Sequence, residues 1–466
     1  MSPDFAAEGR VLGVPVAEPE GQESDRGRWN LNLLLNSMIV VQICAVIAFG
    51  SITILRYPLW SVVDEGAHFD NIAYIAEHHS LPVLGKAHAT EQELAIGKGV
   101  YPGRVKIDAA KDGLAGLDYE AFQPPLYYLV ATPFFYLNGN FHSKAIILRF
   151  LGLAFLLLAI ALFARLSRHV LKKRWRIGLA GGLLVFLMPG IIVRSVTISN
   201  DSLAIPIAIA TVTELWIALE RRSSGRLIAA GALVSCGVLT DLYLAEMVPV
   251  FIGVAAVILW SSRTWRDVVR VALAAGVGVV VALPWFVFNA VEYHALTASA
   301  VAKAEQLSTV NPHHLHFTVG QLPALTVDSL FQPLMPQEWG SLTFPHPLTN
   351  YVSVLFQVLL VPLAIFLTVV LGGRLFRTGY WVLVAPWVVN VLLCWYIDIG
   401  QQWESGAMVA RYTYATLTIL GLFVVAATLS LVRSVKPVVV TMVLSTAFLV
   451  VLWIQVVPSI ASTPHA

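Results

Sequence analysis

Ser61-Val-Val-Asp-Glu-Gly-Ala-His-Phe-Asp-Asn-Ile-Ala-Tyr-Ile-Ala-Glu-His-His79 follows directly on the first long apolar run of the chain. It gathers Asp64, Glu65, His68 and Asp70 in a sequence otherwise poor in charge. Read as a helix, it places Asp64 and His68 at i and i+4, on one face. Phe69, Ile72, Ala73 and Ala76 then form an apolar stripe at i, i+3, i+4 and i+7. The pattern predicts a short amphipathic helix against a membrane surface, with acids at its membrane-proximal start. Acids placed there cost energy, which favours a functional reading. The structural alternative is a capping box, because Ser61 and Asp64 fit S-x-x-[DE] and the helix dipole stabilises acids in a first turn. Capping accounts for one acid well, and for Asp64, Glu65 and His68 together less well.

Composition bounds the rest. The 466 residues are 57% hydrophobic and 12% charged, with a mean hydropathy of +0.74. Soluble domains carry about 25% charge, so this is an integral membrane protein. The net charge of +2 identifies no partner, and no lysine- and arginine-rich tract suits a nucleic acid. Cys44, Cys236 and Cys394 all lie inside apolar runs, which argues against a disulfide framework or a cysteine-bound metal. Residues 1–30 are polar and read as a disordered cytoplasmic tail, with residues 31–466 as the transmembrane domain. The first apolar run is too long for a signal-peptide core and reads as a retained helix.

Apolar runs long enough to span fall near 32–55, 144–166, 177–197, 202–219, 227–243, 245–261, 269–289, 351–373, 379–397, 412–432 and 437–458. The expected fold is therefore all-α and polytopic, with about eleven transmembrane helices. Basic residues recur in alternate connections, as at Arg165–Arg176, Arg221–Arg226, Arg263–Arg270, Arg374–Arg377 and Arg433–Lys436. The positive-inside rule makes that side cytoplasmic, in a plasma or inner membrane. Asp64, Glu65, Asp201, Asp241, Glu246, Asp398 and Glu404 fall on the opposite, extracytoplasmic side. Two long outer loops, about 56–143 and 290–350, have room for short juxtamembrane helices capping a cavity. In the first, Pro124 and Pro125 suit a helix start, and Leu126–Leu137 is too short to span.

These pieces, in this order, resemble the GT-C superfamily of membrane glycosyltransferases. The pattern is similar to the protein O-mannosyltransferases, the lipid A aminoarabinose transferases and a related uncharacterised bacterial group. The residues that carry it are Asp64-Glu65 with His68, Phe122-Gln-Pro-Pro-Leu-Tyr-Tyr128, Ser199-Asn-Asp-Ser-Leu203, Leu239-Thr-Asp-Leu-Tyr243, Pro284-Trp-Phe-Val-Phe-Asn289 and Val409-Ala-Arg-Tyr-Thr-Tyr414. Each motif alone is weak, while the ordered set covers nearly the whole chain. Two positions depart from the relatives. Gln123 stands where a lysine often does, and Asp241 stands where a basic residue often does.

The resemblance implies a polyprenyl-phosphate-linked sugar as donor, a glycan, lipid or protein hydroxyl as acceptor, and inversion as the outcome. The acceptor hydroxyl must lose a proton to a base, and the departing phosphate needs cationic or hydrogen-bonding partners. Asp64 matches the family's first-loop acid and is the expected base, with Glu65 orienting it and His68 binding substrate or tuning Asp64. Arg411 is the first candidate for the phosphate, followed by Arg194 and Arg149. Gln123, Tyr127 and Asp201 complete the expected substrate contacts, although Asp201 also suits a helix cap and the tyrosines an aromatic belt. No metal site is assigned. His313, His314 and His316 read as a solvated loop, and a divalent ion at Asp64 or Glu65 is compatible with the residues but not required. A lipid or solute flippase is the alternative, for which Glu214 is the one clear candidate near the middle of a span. A non-catalytic subunit is a third reading.

Overall fold

The computed structural model describes residues 25–57, 59–60, 64–84, 120–137, 139–262, 264–298, 363, 365–375, 379–401, 410–432 and 434–461. All regular structure among them is helical. The helices are α1 (Asp25–Arg56), α2 (Glu65–His78), α3 (Leu126–Phe135), α4 (Phe141–Leu171), α5 (Trp175–Phe186), α6 (Pro189–Val196) and α7 (Asp201–Arg221). They continue with α8 (Ser224–Val238), α9 (Met247–Ser262), α10 (Trp265–Glu292), α11 (Trp381–Gln401), α12 (Tyr414–Leu431) and α13 (Lys436–Ala461). Short 3-10 turns at Lys172–Arg174, Leu242–Glu246 and Ala410–Thr413 join some of them.

Only closed hydrogen-bonding structures can cross hydrocarbon, and long apolar runs accordingly fold as helices. Among the described residues, seven helical stretches are long and apolar enough to cross a membrane. The expected number was larger, and three differences account for part of the gap. The run expected at 177–197 is broken at Leu187-Met188 into α5 and α6, with Pro189 at the first position of α6. The Leu187 carbonyl freed there accepts a 2.8 Å hydrogen bond from the Trp453 indole of α13. The run expected at 227–243 stops at Val238, leaving α8 at 15 residues. The run expected at 351–373 lies mostly outside the described residues.

Burial separates centre from periphery. The most apolar stretch of α7 is 89% buried and that of α12 83%, against 22% for α10. The α10 surface carries exposed Val268, Val269, Leu273, Val279, Val280, Leu283 and Val287, an apolar face suited to lipid.

Close helix approach depends on small residues, as expected where lipid tails remove the usual hydrophobic drive between helices. A Cβ on Gly231 of α8 would meet the Ala274 carbonyl oxygen of α10 at 2.2 Å. One turn on, the Ser235 hydroxyl donates to the Gly278 carbonyl at 2.6 Å. Backbone cannot give way as a side chain can. Gly231→Ala is therefore expected to push α8 from α10 and cost about 1–3 kcal/mol, read as a lower midpoint of thermal unfolding in detergent.

Titratable groups sort to two ends of the bundle. At one end Glu214 is held by Arg165 at 2.6 Å and by Arg226 at 3.0 Å. Lys172 pairs with Glu220 there as well. At the other end lie Glu65, the first turns of α4 and α7, and the 239–246 turn. The end holding Arg165, Lys172 and Arg226 is the basic one that the sequence assigns to the cytoplasmic side.

Candidate active site

Two pairs of short elements build the Glu65 end. Helix α2 begins at Glu65, later than a capping box based on Ser61 requires, and Asp64 is its N-cap residue. Asp64 has φ 69°, a left-handed conformation, and makes no side-chain hydrogen bond to the helix it starts. Its side chain is partly exposed. A non-glycine residue in that region stores strain of about 1–3 kcal/mol, and such strain clusters at functional sites. The stripe of Phe69, Ile72, Ala73 and Ala76 is buried as expected. However, Glu65, His68, Asp70, Asn71 and Ile75 are buried too. Thus α2 is clasped on both faces by protein rather than resting on a lipid surface.

The clasp has a clear anchor. Glu65 is fully buried and receives Arg149 bidentately, Nε to Oε1 at 2.7 Å and Nη2 to Oε2 at 2.6 Å. The backbone N–H of Trp60 donates to Oε2 at 3.0 Å, and that of Ile198 to Oε1 at 3.2 Å. Arg149 Nη1 donates to the Tyr57 carbonyl at 2.7 Å and reaches the Ile54 carbonyl at 3.4 Å. One ion pair thereby ties the outer end of α1, the head of α2, α4 and the strand of backbone before α7. Glu65 thus anchors the head of α2. Arg149 differs from its expected role, because its guanidinium is 1% exposed and engaged by an acid and two carbonyls, leaving no face for a phosphate.

Arg194 has a similar fate. It is buried at the end of α6, and its Nε donates to Asp201 Oδ2 at 2.5 Å. The Ser199 hydroxyl adds a 3.0 Å bond to the same oxygen. Asp201 is the first residue of α7, and Asn200 is the N-cap. The Asp201 carboxylate therefore neutralises Arg194 in addition to sitting favourably at a helix N-terminus.

His68 is buried, and its Nδ1 lies 2.8 Å from the Tyr128 hydroxyl of α3. Tyr128→Phe would take this partner from a buried ring nitrogen, for an expected loss of about 1–3 kcal/mol in an equilibrium unfolding measurement. Tyr127 is fully buried against Ser199 and Ser202. Burial pushes its phenol well above the usual tyrosine range, with those two hydrogen bonds pulling the other way. Tyr127 is thus a neutral hydrogen-bonding group, and it is the polar packing contact rather than a belt residue. Gln123 is half-buried and donates through Nε2 to Glu120 Oε2 at 2.6 Å. The side chain of Arg411 lies outside the described residues, as do His313, His314 and His316; its backbone is in the turn Ala410–Thr413. No group of three His, Cys, Asp or Glu among the described residues is placed to hold a metal ion.

Two small clefts open at this end. The first is lined by Asn71 and Ile75 of α2, Gln123, Tyr128, and Trp285, Phe288 and Asn289 of α10. The second is lined by Asp201, Asp241, Tyr243, Tyr412 and Tyr414. Tyr243 and Tyr412 stack there with ring centres 3.7 Å apart. Asp241 accepts from the Tyr243 N–H at 3.0 Å. The segments beside them are joined: the Leu126 N–H donates to the Leu239 carbonyl at 2.8 Å, and the Asn200 amide donates to the Thr240 carbonyl at 3.1 Å. Six sequence blocks scattered over the chain therefore meet at one end of the bundle.

Among solved structures, ArnT from Cupriavidus metallidurans bound to undecaprenyl phosphate is 15% identical, with 88% of this chain and 79% of that one covered at a TM-score of 0.39. The Archaeoglobus fulgidus oligosaccharyltransferase in complex with zinc and sulfate is 14% identical, with 91% of this chain and 53% of that one covered at a TM-score of 0.44. No curated protein sequence matches. Residues 122–288 match the family model of the dolichyl-phosphate-mannose-protein mannosyltransferases. They include three of the six blocks whole, Phe122–Tyr128, Ser199–Leu203 and Leu239–Tyr243, and all but the last residue of a fourth, Pro284–Asn289.

Proposed function

We propose that this protein moves a sugar from a polyprenyl-phosphate donor to a hydroxyl acceptor at the extracytoplasmic face of a cell membrane, with Asp64 as the base. The observation that carries this reading is the head of α2. The Glu65–Arg149 pair pins the helix, and Asp64 is held just before it in a left-handed conformation, its carboxylate not spent on the helix cap. Asp64 accepts the proton of the acceptor hydroxyl as its oxygen bonds to the anomeric carbon. The bond from that carbon to the phosphate oxygen breaks, and polyprenyl phosphate leaves.

A lipid-linked donor suits a site at a membrane face. The name of the matched family also includes a polyprenyl-phosphate sugar, dolichyl-phosphate mannose. With Arg149 and Arg194 each engaged by an acid, Arg411 is the candidate that remains for the departing phosphate, next to Tyr412 and Tyr414 of the second cleft. Residues 31–466 act as one transmembrane unit in this reading, with the tail of residues 1–30 on the cytoplasmic side. Against the flippase alternative, Glu214, its candidate acid, is paired with two arginines at the opposite end.

The test is release of polyprenyl phosphate. Purified protein in nanodiscs is given a panel of polyprenyl-phosphate sugars with a hydroxyl acceptor mixture. Release with one donor, and none with Arg411→Met at the same donor concentration, is the expected result. No release with any donor would return the transporter reading.

A further inference from the structure

The turn between α4 and α5, at the end opposite Asp64, concentrates positive charge that the fold does not neutralise. Six lysines and arginines fall between Arg165 and Arg176. Two of them hold acids, Arg165 with Glu214 and Lys172 with Glu220. Elsewhere at this end Arg226 and Arg270 are paired as well, with Glu214 and Asp267. No carboxylate among the described residues pairs with Arg168, Arg174 or Arg176. Instead, Arg168 and Arg176 are both drawn over the Trp175 ring, their guanidinium carbons 4.5 and 5.0 Å from its centre. The indole attracts each cation but brings no net charge to offset them. The helix adds to the field. α5 starts at Trp175 with no acid in its first turn, so the positive end of its dipole meets the same cations. Like charges gathered in this way repel, and a bound anion relieves the repulsion.

We infer that this turn binds the phosphate of an anionic phospholipid in the adjoining leaflet, with Arg168 and Arg176 as its ligands. Stacking on an indole occupies the flat face of a guanidinium and leaves its N–H edge outward. That edge is the part that pairs with phosphate oxygens two at a time. The site lies on the side that the sequence assigns to the cytoplasm, and it is independent of the sugar chemistry proposed at the other end.

The surface leading to the turn makes the source of the phosphate a lipid. Along α4, Phe150, Ala154, Leu158, Ala161 and Arg168 are all exposed. They follow one another at spacings of four, four, three and seven residues, so they share one helical face. The first four are apolar, and the charge comes only at the end. From Leu158 to Arg168 the helix rises about 15 Å, about half of the 30 Å hydrocarbon core and thus the depth of one leaflet. An acyl chain lying on Leu158 and Ala161 therefore brings its headgroup level with Arg168. Trp175 suits the same depth, because indoles collect at the boundary between membrane and water. A soluble phosphate would use none of this face.

The experiment is native mass spectrometry of the full chain in a neutral detergent, titrated with phosphatidylglycerol or with phosphatidylcholine of the same acyl chains. One phosphatidylglycerol is expected to bind about tenfold or more tightly than phosphatidylcholine. A cation near the headgroups contributes about fivefold, so Arg168→Gln should weaken that binding about fivefold, and Arg168→Gln with Arg176→Gln about 25-fold. Arg168 is exposed and glutamine is a good helix former, so without added lipid the unfolding midpoint of Arg168→Gln should match that of the parent protein. Arg266→Gln removes an exposed cation from the α9–α10 connection at the same end, and should leave the affinity unchanged. Glycerophosphoglycerol, the headgroup without its chains, should not displace the lipid at equal concentration. Equal affinity for the two lipids, or as large a loss in Arg266→Gln as in Arg168→Gln, would overturn the proposal by reducing the turn to part of a diffuse positive field. Displacement by the free headgroup would overturn it in favour of a soluble phosphate ligand.

Discussion

Arg149→Ala is expected to destabilise the protein by about 3–5 kcal/mol, the loss seen when one partner of a buried ion pair is removed. The geometry explains the size. The substitution leaves Glu65 fully buried, with the Trp60 and Ile198 N–H groups as backbone donors and the guanidinium counter-charge gone. It also frees the Tyr57 and Ile54 carbonyls, which Arg149 reaches at 2.7 and 3.4 Å. Glu65→Gln should be similarly harmful, since it strands the arginine instead. The double variant Glu65→Leu with Arg149→Met removes both charges and should recover part of the loss. It cannot recover all, because the backbone groups at Trp60, Ile198 and Tyr57 lose their partners at about 1–3 kcal/mol each. Thermal and denaturant unfolding of the parent and the three variants in detergent reads these differences. A loss for Arg149→Ala within the range of an exposed pair, about 0–1 kcal/mol, would show that water reaches this site.

This anchor shows where sequence reasoning reaches and where it stops. The stripe of Phe69, Ile72, Ala73 and Ala76 is legible because a helical period survives in the sequence, and all four are buried. The partner of Glu65 is not legible, because Arg149 is 84 residues away. A lone arginine near the outer end of a span looks the same whether it awaits a phosphate or neutralises a neighbouring acid. Arg149 and Arg194 both turned out to be neutralising acids, one through Glu65 and one through Asp201. Hydropathy alone also misses the break between α5 and α6. Leu187 and Met188 are apolar, and the only signal was Pro189, which can begin a helix as readily as bend one. The order of the six blocks was legible, but their division between two clefts was not.

Asp64→Asn is expected to reduce sugar transfer by about 10²–10⁴-fold, the range contributed by a positioned general base, while leaving the fold intact. The backbone makes this a clean substitution. Asp64 lies at φ 69°, and asparagine is among the few side chains that accept the left-handed region readily. The replacement is also isosteric, and the α2 N-terminus loses no cap, because the Asp64 side chain makes none. The unfolding midpoint should therefore match that of the parent protein. Proton removal belongs to the transition state, so kcat should fall with the KM for donor nearly unchanged. Asp64→Val supplies the contrast, because it loses the carboxylate and also forces a β-branched residue into the left-handed region at a cost of about 1–2 kcal/mol. It should lose activity and stability together, whereas Asp64→Asn loses activity alone. Full activity in Asp64→Asn would remove Asp64 from the chemistry. The strained conformation at the head of α2 would then be a structural consequence of the Glu65 anchor, and the base would have to be sought among the acids of the second cleft, Asp201 and Asp241.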